Sequence, residues 1–202
     1  MPDRGRFDVL LFDLGGVLMD FAGFEELVRL VPSAASRSEI RNRWIRSPAV
    51  QRFERGEITA KRFADAVIEE FQIDLSPQEF LSSFVEWARE PTPVTISLLV
   101  RLRNTYRIAA LSNANELHTP LHRRRFEQAI DTFYFSDEIG HVKPDRAIFD
   151  HVVDDLGVPP HRIAYFDDTP VNVEAALDAG LIAHSADGID ELRTRLIELG
   201  LL

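Results

Sequence analysis

Near its amino end the chain reads Asp8-Val9-Leu10-Leu11-Phe12-Asp13-Leu14-Gly15-Gly16. Four consecutive apolar residues, stopped by an acid and then a pair of glycines, suit a strand buried on both faces, as in a parallel sheet. Similar runs recur at 107–112, 162–166 and 181–184, with a shorter aromatic one at 132–135. Helical patterns lie between them. Phe149, Val152, Val153 and Leu156 follow i, i+3, i+4, i+7 spacing, with Gly157 placed to stop that helix. Val173, Ala176 and Leu177 line one face of the next, which Gly180 ends, and Ile189, Leu192, Leu196 and Leu199 line the last. Strands alternating with helices predict an α/β fold with a doubly wound parallel sheet.

The spacing is uneven. After Asp13 no strand signal appears until residue 107, far more chain than one crossover helix needs. A helix near 93–103 serves as the crossover, so residues 19–90 are expected to be an insertion and residues 1–18 with 91–202 the core. The insertion reads as all-helical. Phe24, Leu27, Val28 and Val31 share one helical face, as do Phe63, Ala66, Val67 and Phe71. Ser76-Pro77-Gln78-Glu79 has the spacing of a capping box, with Pro at the first helical position, and Phe80, Phe84 and Trp87 follow on one face.

Composition narrows the function classes. Of 202 residues, 45% are hydrophobic and 28% charged, which excludes disordered and disulfide-scaffold readings. A net charge of −10 repels polyanions, so neither nucleic acid nor an anionic membrane is expected as a partner. With no Cys there is no thiol chemistry and no thiolate metal site. Met1 to Arg6 carry no apolar signal core, and no run approaches the roughly 20 apolar residues of a membrane span. The expectation is a cytoplasmic protein.

Ligands of open α/β sheets bind outside the carboxyl ends of the strands. Those ends carry Asp13, Ser112-Asn113 and Asp167-Asp168. One such residue is commonly a turn or cap residue; three strand ends of this kind on one edge point to a site. Three converging carboxylates repel one another unless a positive charge lies between them. Hard oxygen donors favour Mg²⁺, and a metal so held attracts phosphate. Asp is also a competent nucleophile toward phosphorus, giving an aspartyl-phosphate.

Phe12-Asp13-Leu14-Gly15-Gly16-Val17-Leu18, Leu111-Ser112-Asn113, Lys143-Pro144-Asp145 and Phe166-Asp167-Asp168 resemble, in order and spacing, the four motifs of the haloacid dehalogenase-like hydrolase superfamily. The helical insertion resembles that superfamily's cap. The resemblance implies that Asp13 is nucleophile and metal ligand, and that Gly15 offers its backbone carbonyl to Mg²⁺. It implies that Ser112 and Asn113 bind the phosphoryl oxygens, while Lys143 neutralises charge between nucleophile and phosphate. Asp168 would bind the metal directly, Asp167 directly or through water, and Asn172 would orient these carboxylates. The implied activity is Mg²⁺-dependent hydrolysis of a small phosphorylated metabolite.

There is one departure from that pattern. Two positions after the nucleophile, most phosphatases of the superfamily carry a second Asp as general acid; here Gly15 stands there. A branch with Gly at this position exists, and Asp20 is a candidate substitute acid, although an exposed loop acid is the simpler reading. Two rivals follow, a 2-haloacid dehalogenase in which Asp13 attacks carbon, and a non-catalytic binding module. His118 and His122 have i, i+4 spacing but lack the Glu of a zinc protease helix, and Arg123-Arg124-Arg125 reads as a solvated helix face.

Overall fold

The computed structural model describes residues 5–31 and 36–202. Its core is a five-stranded parallel sheet of β1 (Val9–Phe12), β2 (Arg107–Ser112), β3 (Thr132–Phe135), β4 (Ile163–Asp167) and β5 (Ile182–Ser185), in the order β3-β2-β1-β4-β5. The central strand β1 pairs with β2, Leu11 facing Ala109, and with β4, Leu11 facing Tyr165. Its four residues are buried. Leu10 and Phe12 join Ile108, Ala110, Ala164 and Phe166 on one face of the sheet. Val9 and Leu11 join Ala109, Leu111, Ile163 and Tyr165 on the other. Burial on both faces is why these strands read as continuous apolar runs rather than as alternation.

Helices cover both faces. The first is covered by α6 (Pro93–Arg103) through Leu98, Leu99 and Leu102, by Phe126 of α7 (Thr119–Phe126), and by Leu192 and Leu196 of α11 (Gly188–Glu198). Between α7 and the next of these lies the single turn α8 (Ser136–Ile139). The second face is covered by α9 (Arg146–Leu156) through Ile148, Phe149, Val152 and Leu156, and by Ala176 of α10 (Pro170–Asp178). Gly157 ends α9 at φ 66°, as its position predicts. One expectation on α10 fails: Leu177 is 49% exposed. This helix buries Asn172 and Ala176, one turn apart, and Leu177 lies about 100° further round the axis.

Between β1 and α6 come five helices, α1 (Gly23–Leu30), α2 (Arg37–Arg46), α3 (Pro48–Glu54), α4 (Ala60–Phe71) and α5 (Pro77–Val85). The expected capping box at Ser76 and Glu79 starts α5. These helices share a separate apolar cluster, from Leu27 to Trp87, that is rich in rings. Phe63 stacks on Phe53 at 4.2 Å and meets Trp44 edge-on at 6.0 Å. The two chains that join this bundle to the sheet run antiparallel, Phe21 beside Ala88. Ala22 N donates to Trp87 O at 2.9 Å and Arg89 N to Asp20 O at 3.1 Å. Arg125 grips the outgoing chain, donating to Glu90 at 2.7 Å and to Ala88 O at 3.1 Å. The arginine run on α7 is therefore partly structural: Arg125 ties down this joint and Arg123 pairs with Glu138 at 2.8 Å. Among the described residues, no helix is long and apolar enough to cross a membrane.

Because Phe63 anchors the ring cluster, Phe63→Ala should lower stability by about 3–5 kcal/mol, the range for aromatic deletion in a packed core. Urea unfolding measures this, and a loss below about 1 kcal/mol would mean that the cluster is loosely packed.

Candidate active site

The carboxyl ends of β1, β2 and β4 converge as their sequence implied. Asp13 follows β1 directly, and its N–H donates to Phe166 O at 2.9 Å, continuing the β1–β4 pairing one residue further. Its Oδ1 accepts from Leu14 N at 2.7 Å and lies 2.9 Å from Lys143 Nζ. Lys143 Nζ also donates to Asp167 Oδ2 at 2.7 Å and to Leu111 O at 3.2 Å. One buried ammonium thus holds three strand ends together. Asp13, Asp167 and Asp168 each present a carboxylate oxygen, all within 4.8 Å of one another.

Three carboxylates against one ammonium leave this corner short of positive charge. Burial, with the Asp167 and Asp168 charges behind it, pushes Asp13 up to about 7 despite the pull of Lys143. Burial and the Asp167 charge raise Asp168 too. Burial opposes the charge on Lys143, but Asp13 and Asp167 outweigh it and hold the ammonium above the usual lysine range. Burial likewise opposes charge on Asp167, and there Lys143 wins, so that carboxyl is held below its ordinary value. Two raised carboxyls with only oxygen donors around them are what a hard divalent cation would relieve, so the residues present fit Mg²⁺.

The two adjacent acids are not equivalent. Asp167 is fully buried and saturated. It accepts from Lys143, from Asn172 Nδ2 at 3.0 and 3.1 Å, from Thr169 N at 2.8 Å, and from the Tyr165 hydroxyl. Among the described residues Asp168 accepts only from the Thr169 hydroxyl, at 3.2 Å, and it is half-buried. Its carboxylate lies against the backbone of Gly16, where a Cβ would fall 2.6 Å from Oδ2. Gly16 also has φ 85°, so two independent constraints require glycine there. Gly15 is different: its φ is not positive, and a Cβ would meet Phe21 at an ordinary 3.5 Å. An Asp at position 15 would be tolerated by the backbone, so its absence here is a matter of sequence and not of strain.

Ser112 ends β2, and its hydroxyl makes one long contact, 3.5 Å to Asn113 O. The Asn113 side chain is engaged elsewhere. It donates to Lys143 O at 3.0 Å and accepts from Lys143 N at 2.8 Å, clamping the backbone that presents the lysine. The histidine pair is not arranged for metal. His118 Nε2–H donates to Phe84 O at 3.0 Å while Nδ1 faces Asn115 Nδ2 at 3.3 Å, and burial pushes His118 down to about 4 and His122 down to about 3. Both are neutral packing residues between α5 and α7.

A cleft opens from Asp13, Ser112 and Lys143 toward the helical bundle, lined on that side by Phe24, Arg41 and Glu54. Two residues escape a reading of the sequence. Tyr165 had a signal, since i, i+2 spacing puts it on the same strand face as Asp167. Glu54 had none, being one acid among many at the end of a short helix.

Known proteins are similar in sequence and fold. Residues 7–180 match the family model for haloacid dehalogenase-like hydrolases. The D-ribitol-5-phosphate phosphatase of Bacteroides thetaiotaomicron is 22% identical over 180 residues, 85% of this chain and 87% of that protein. A HAD-like family hydrolase from Porphyromonas gingivalis superposes with TM-score 0.76 at 25% identity, over 96% of this chain and 98% of that one. A HAD family enzyme from B. thetaiotaomicron, in complex with magnesium and inorganic phosphate, superposes with TM-score 0.73 at 24% identity, over 89% and 94%. With the family match spanning most of the chain, and three strand ends and the Lys143 loop lining one cleft, this protein belongs to the haloacid dehalogenase-like hydrolase family.

Proposed function

We propose that the protein is a Mg²⁺-dependent phosphohydrolase of a small phosphorylated metabolite, and that residues 19–90 form a cap over its site. The observation that carries this reading is the corner of three carboxylates served by a single lysine. The names of similar proteins, a sugar-alcohol phosphatase among them, support it. Asp13 attacks phosphorus with the oxygen that Lys143 leaves free, because Oδ1 already accepts from Lys143 and Leu14. Lys143 keeps the carboxylate oriented and offsets charge on the phosphoryl group. The Ser112 hydroxyl and the Asn113 backbone amide donate to the phosphoryl oxygens; the Asn113 side chain instead sets the position of Lys143.

Asp13, Asp168 and the Gly15 carbonyl would hold the metal, which draws in the phosphoryl oxygens and lowers the repulsion that the nucleophile meets. Asp167, its oxygens already taken, would support the metal site through water, and Asn172 orients its carboxylate. The bundle excludes bulk water and shapes the pocket for the rest of the substrate. A 2-haloacid dehalogenase would need no metal, and the repulsion of Asp168 by Asp167, and of Asp13 by both, would then be unrelieved.

The reading is tested with a generic aryl phosphate. Wild-type turnover should require Mg²⁺ and stop with chelator, and Asp13→Asn should lower kcat by about 10⁴-fold or more while the fold persists, as for loss of a covalent nucleophile. A folded Asn variant that keeps most of the wild-type kcat would sink it. The two adjacent acids should separate. Asp168→Ala should weaken Mg²⁺ affinity at least about tenfold with little change in Tm. Asp167→Ala should cost about 3 kcal/mol or more of stability, because it removes one of the two carboxylates that pair buried Lys143 and takes the acceptor from the Asn172 and Tyr165 side chains. Calorimetric Mg²⁺ titration and thermal unfolding of both variants check this, and equal effects would mean that their roles are not divided.

A further inference from the structure

A leaving alkoxide needs a proton, and Gly15 has no side chain to give one. The helical bundle brings other carboxyls to the cleft, and one of them stands apart. Glu54 is the last residue of α3, half-buried, lining the cleft with Asp13 and Lys143 and within electrostatic reach of both. No hydrogen bond or ion pair engages its carboxyl among the described residues.

The two residues after it fasten this point of the bundle to the sheet. Arg55 donates to Asp145 Oδ2 at 3.0 Å, in the loop that carries Lys143. Gly56, at φ 68°, brings its backbone against Asp137 of α8, so close that a Cβ would fall 2.5 Å from the Asp137 carbonyl oxygen. Glu54 is therefore held over the cleft by a salt bridge and a backbone contact on its own chain segment. The other carboxyls of the cleft serve less well. Asp145 is paired to Arg55 and Glu25 to Arg37, while Asp20 and Asp187 are exposed to bulk water.

We propose that Glu54 is the proton donor to the leaving oxygen, the role that Gly15 cannot fill. This rests on the phosphohydrolase reading. In an in-line displacement the leaving oxygen departs from the side of phosphorus opposite Asp13, toward the bundle, where Glu54 stands. The protonated state suits the setting. Burial pushes Glu54 up to about 7, with Asp13 adding to the rise and Lys143 and Arg55 opposing it.

The steps balance. An Asp13 oxygen bonds to phosphorus as the bond to the leaving oxygen breaks; the electron pair goes to that oxygen, and the Glu54 proton follows it to give the alcohol. Glu54, now a carboxylate, takes a proton from the water that attacks the aspartyl-phosphate. The bond from phosphorus to Asp13 breaks, hydrogen phosphate leaves, and both carboxyls regain their starting forms.

The test compares Glu54→Gln with wild type on p-nitrophenyl phosphate and on a series of alkyl phosphates, reading kcat/KM. A nitrophenolate leaves without a proton and an alkoxide does not. The variant should therefore lose about 10²-fold or more on the alkyl esters, the usual worth of general acid catalysis, and less than about tenfold on the aryl ester. Glu54→Asp should recover part of the alkyl activity. Equal losses on both ester classes, or no loss on either, would overturn the proposal while wild-type Mg²⁺-dependent aryl turnover leaves the phosphohydrolase reading standing. A wild type without that turnover would overturn both. Matching Tm values for wild type and Glu54→Gln show that the comparison is between folded proteins.

Discussion

Everything at the sheet edge depends on one buried ammonium. Lys143 Nζ lies 2.9 Å from Asp13 and 2.7 Å from Asp167, and its third hydrogen bond goes to the carbonyl of Leu111. A lysine buried this deeply is costly unless its charge is paired. Pairing it with two carboxylates, from β1 and from β4, ties adjacent strands at the point where the ligand crevice opens. Asn113 then sets the lysine's backbone from both sides. Among the described residues Asp168 makes no ion pair and Lys143 engages one oxygen of Asp13, and that deficit is what the proposed metal and phosphoryl group would answer. Structural need and chemical capacity come from the same four side chains.

The helical bundle contributes through where it is fastened. Its two connecting chains pair with each other at Phe21 and Ala88, which fixes the bundle beside the end of β1. A third point, the segment Glu54 to Gly56, touches the core at Asp145 and Asp137. A bundle held at one joint can swing, whereas this one also rests on the loop that supplies Lys143. The Arg55–Asp145 bridge is exposed enough that it contributes little stability. Its effect is on position, placing an otherwise unpaired carboxyl above the proposed nucleophile.

Much of the fold was legible in the sequence, for a physical reason. Strands buried on both faces carry no alternation, so Val9 to Phe12 and Ile163 to Phe166 stand out as unbroken apolar runs, each stopped by an acid that belongs to the site. The converging acids were legible for the same reason. Helix faces were less so. Leu177 fits the helical period, yet α10 buries a neighbouring stripe because small Ala176 allows close approach to the sheet. Which member of the glycine pair is constrained was not legible, since it takes the positive φ and the close packing against Asp168 to single out Gly16. Glu54 carried no signal at all. Its setting is made by residues of α8 and of the loop after β3, more than 80 positions away, and no local pattern encodes that contact.

The central claim is that hydrolysis runs through a covalent bond between Asp13 and phosphorus, and stereochemistry tests it most directly. A phosphorothioate monoester made chiral at phosphorus with two oxygen isotopes would be turned over by the wild-type enzyme in water labelled with the third, so that the released thiophosphate is itself chiral. Two successive in-line displacements, first by Asp13 and then by water, give thiophosphate with net retention of configuration. Net inversion would show that water attacks the ester directly, and would contradict the account.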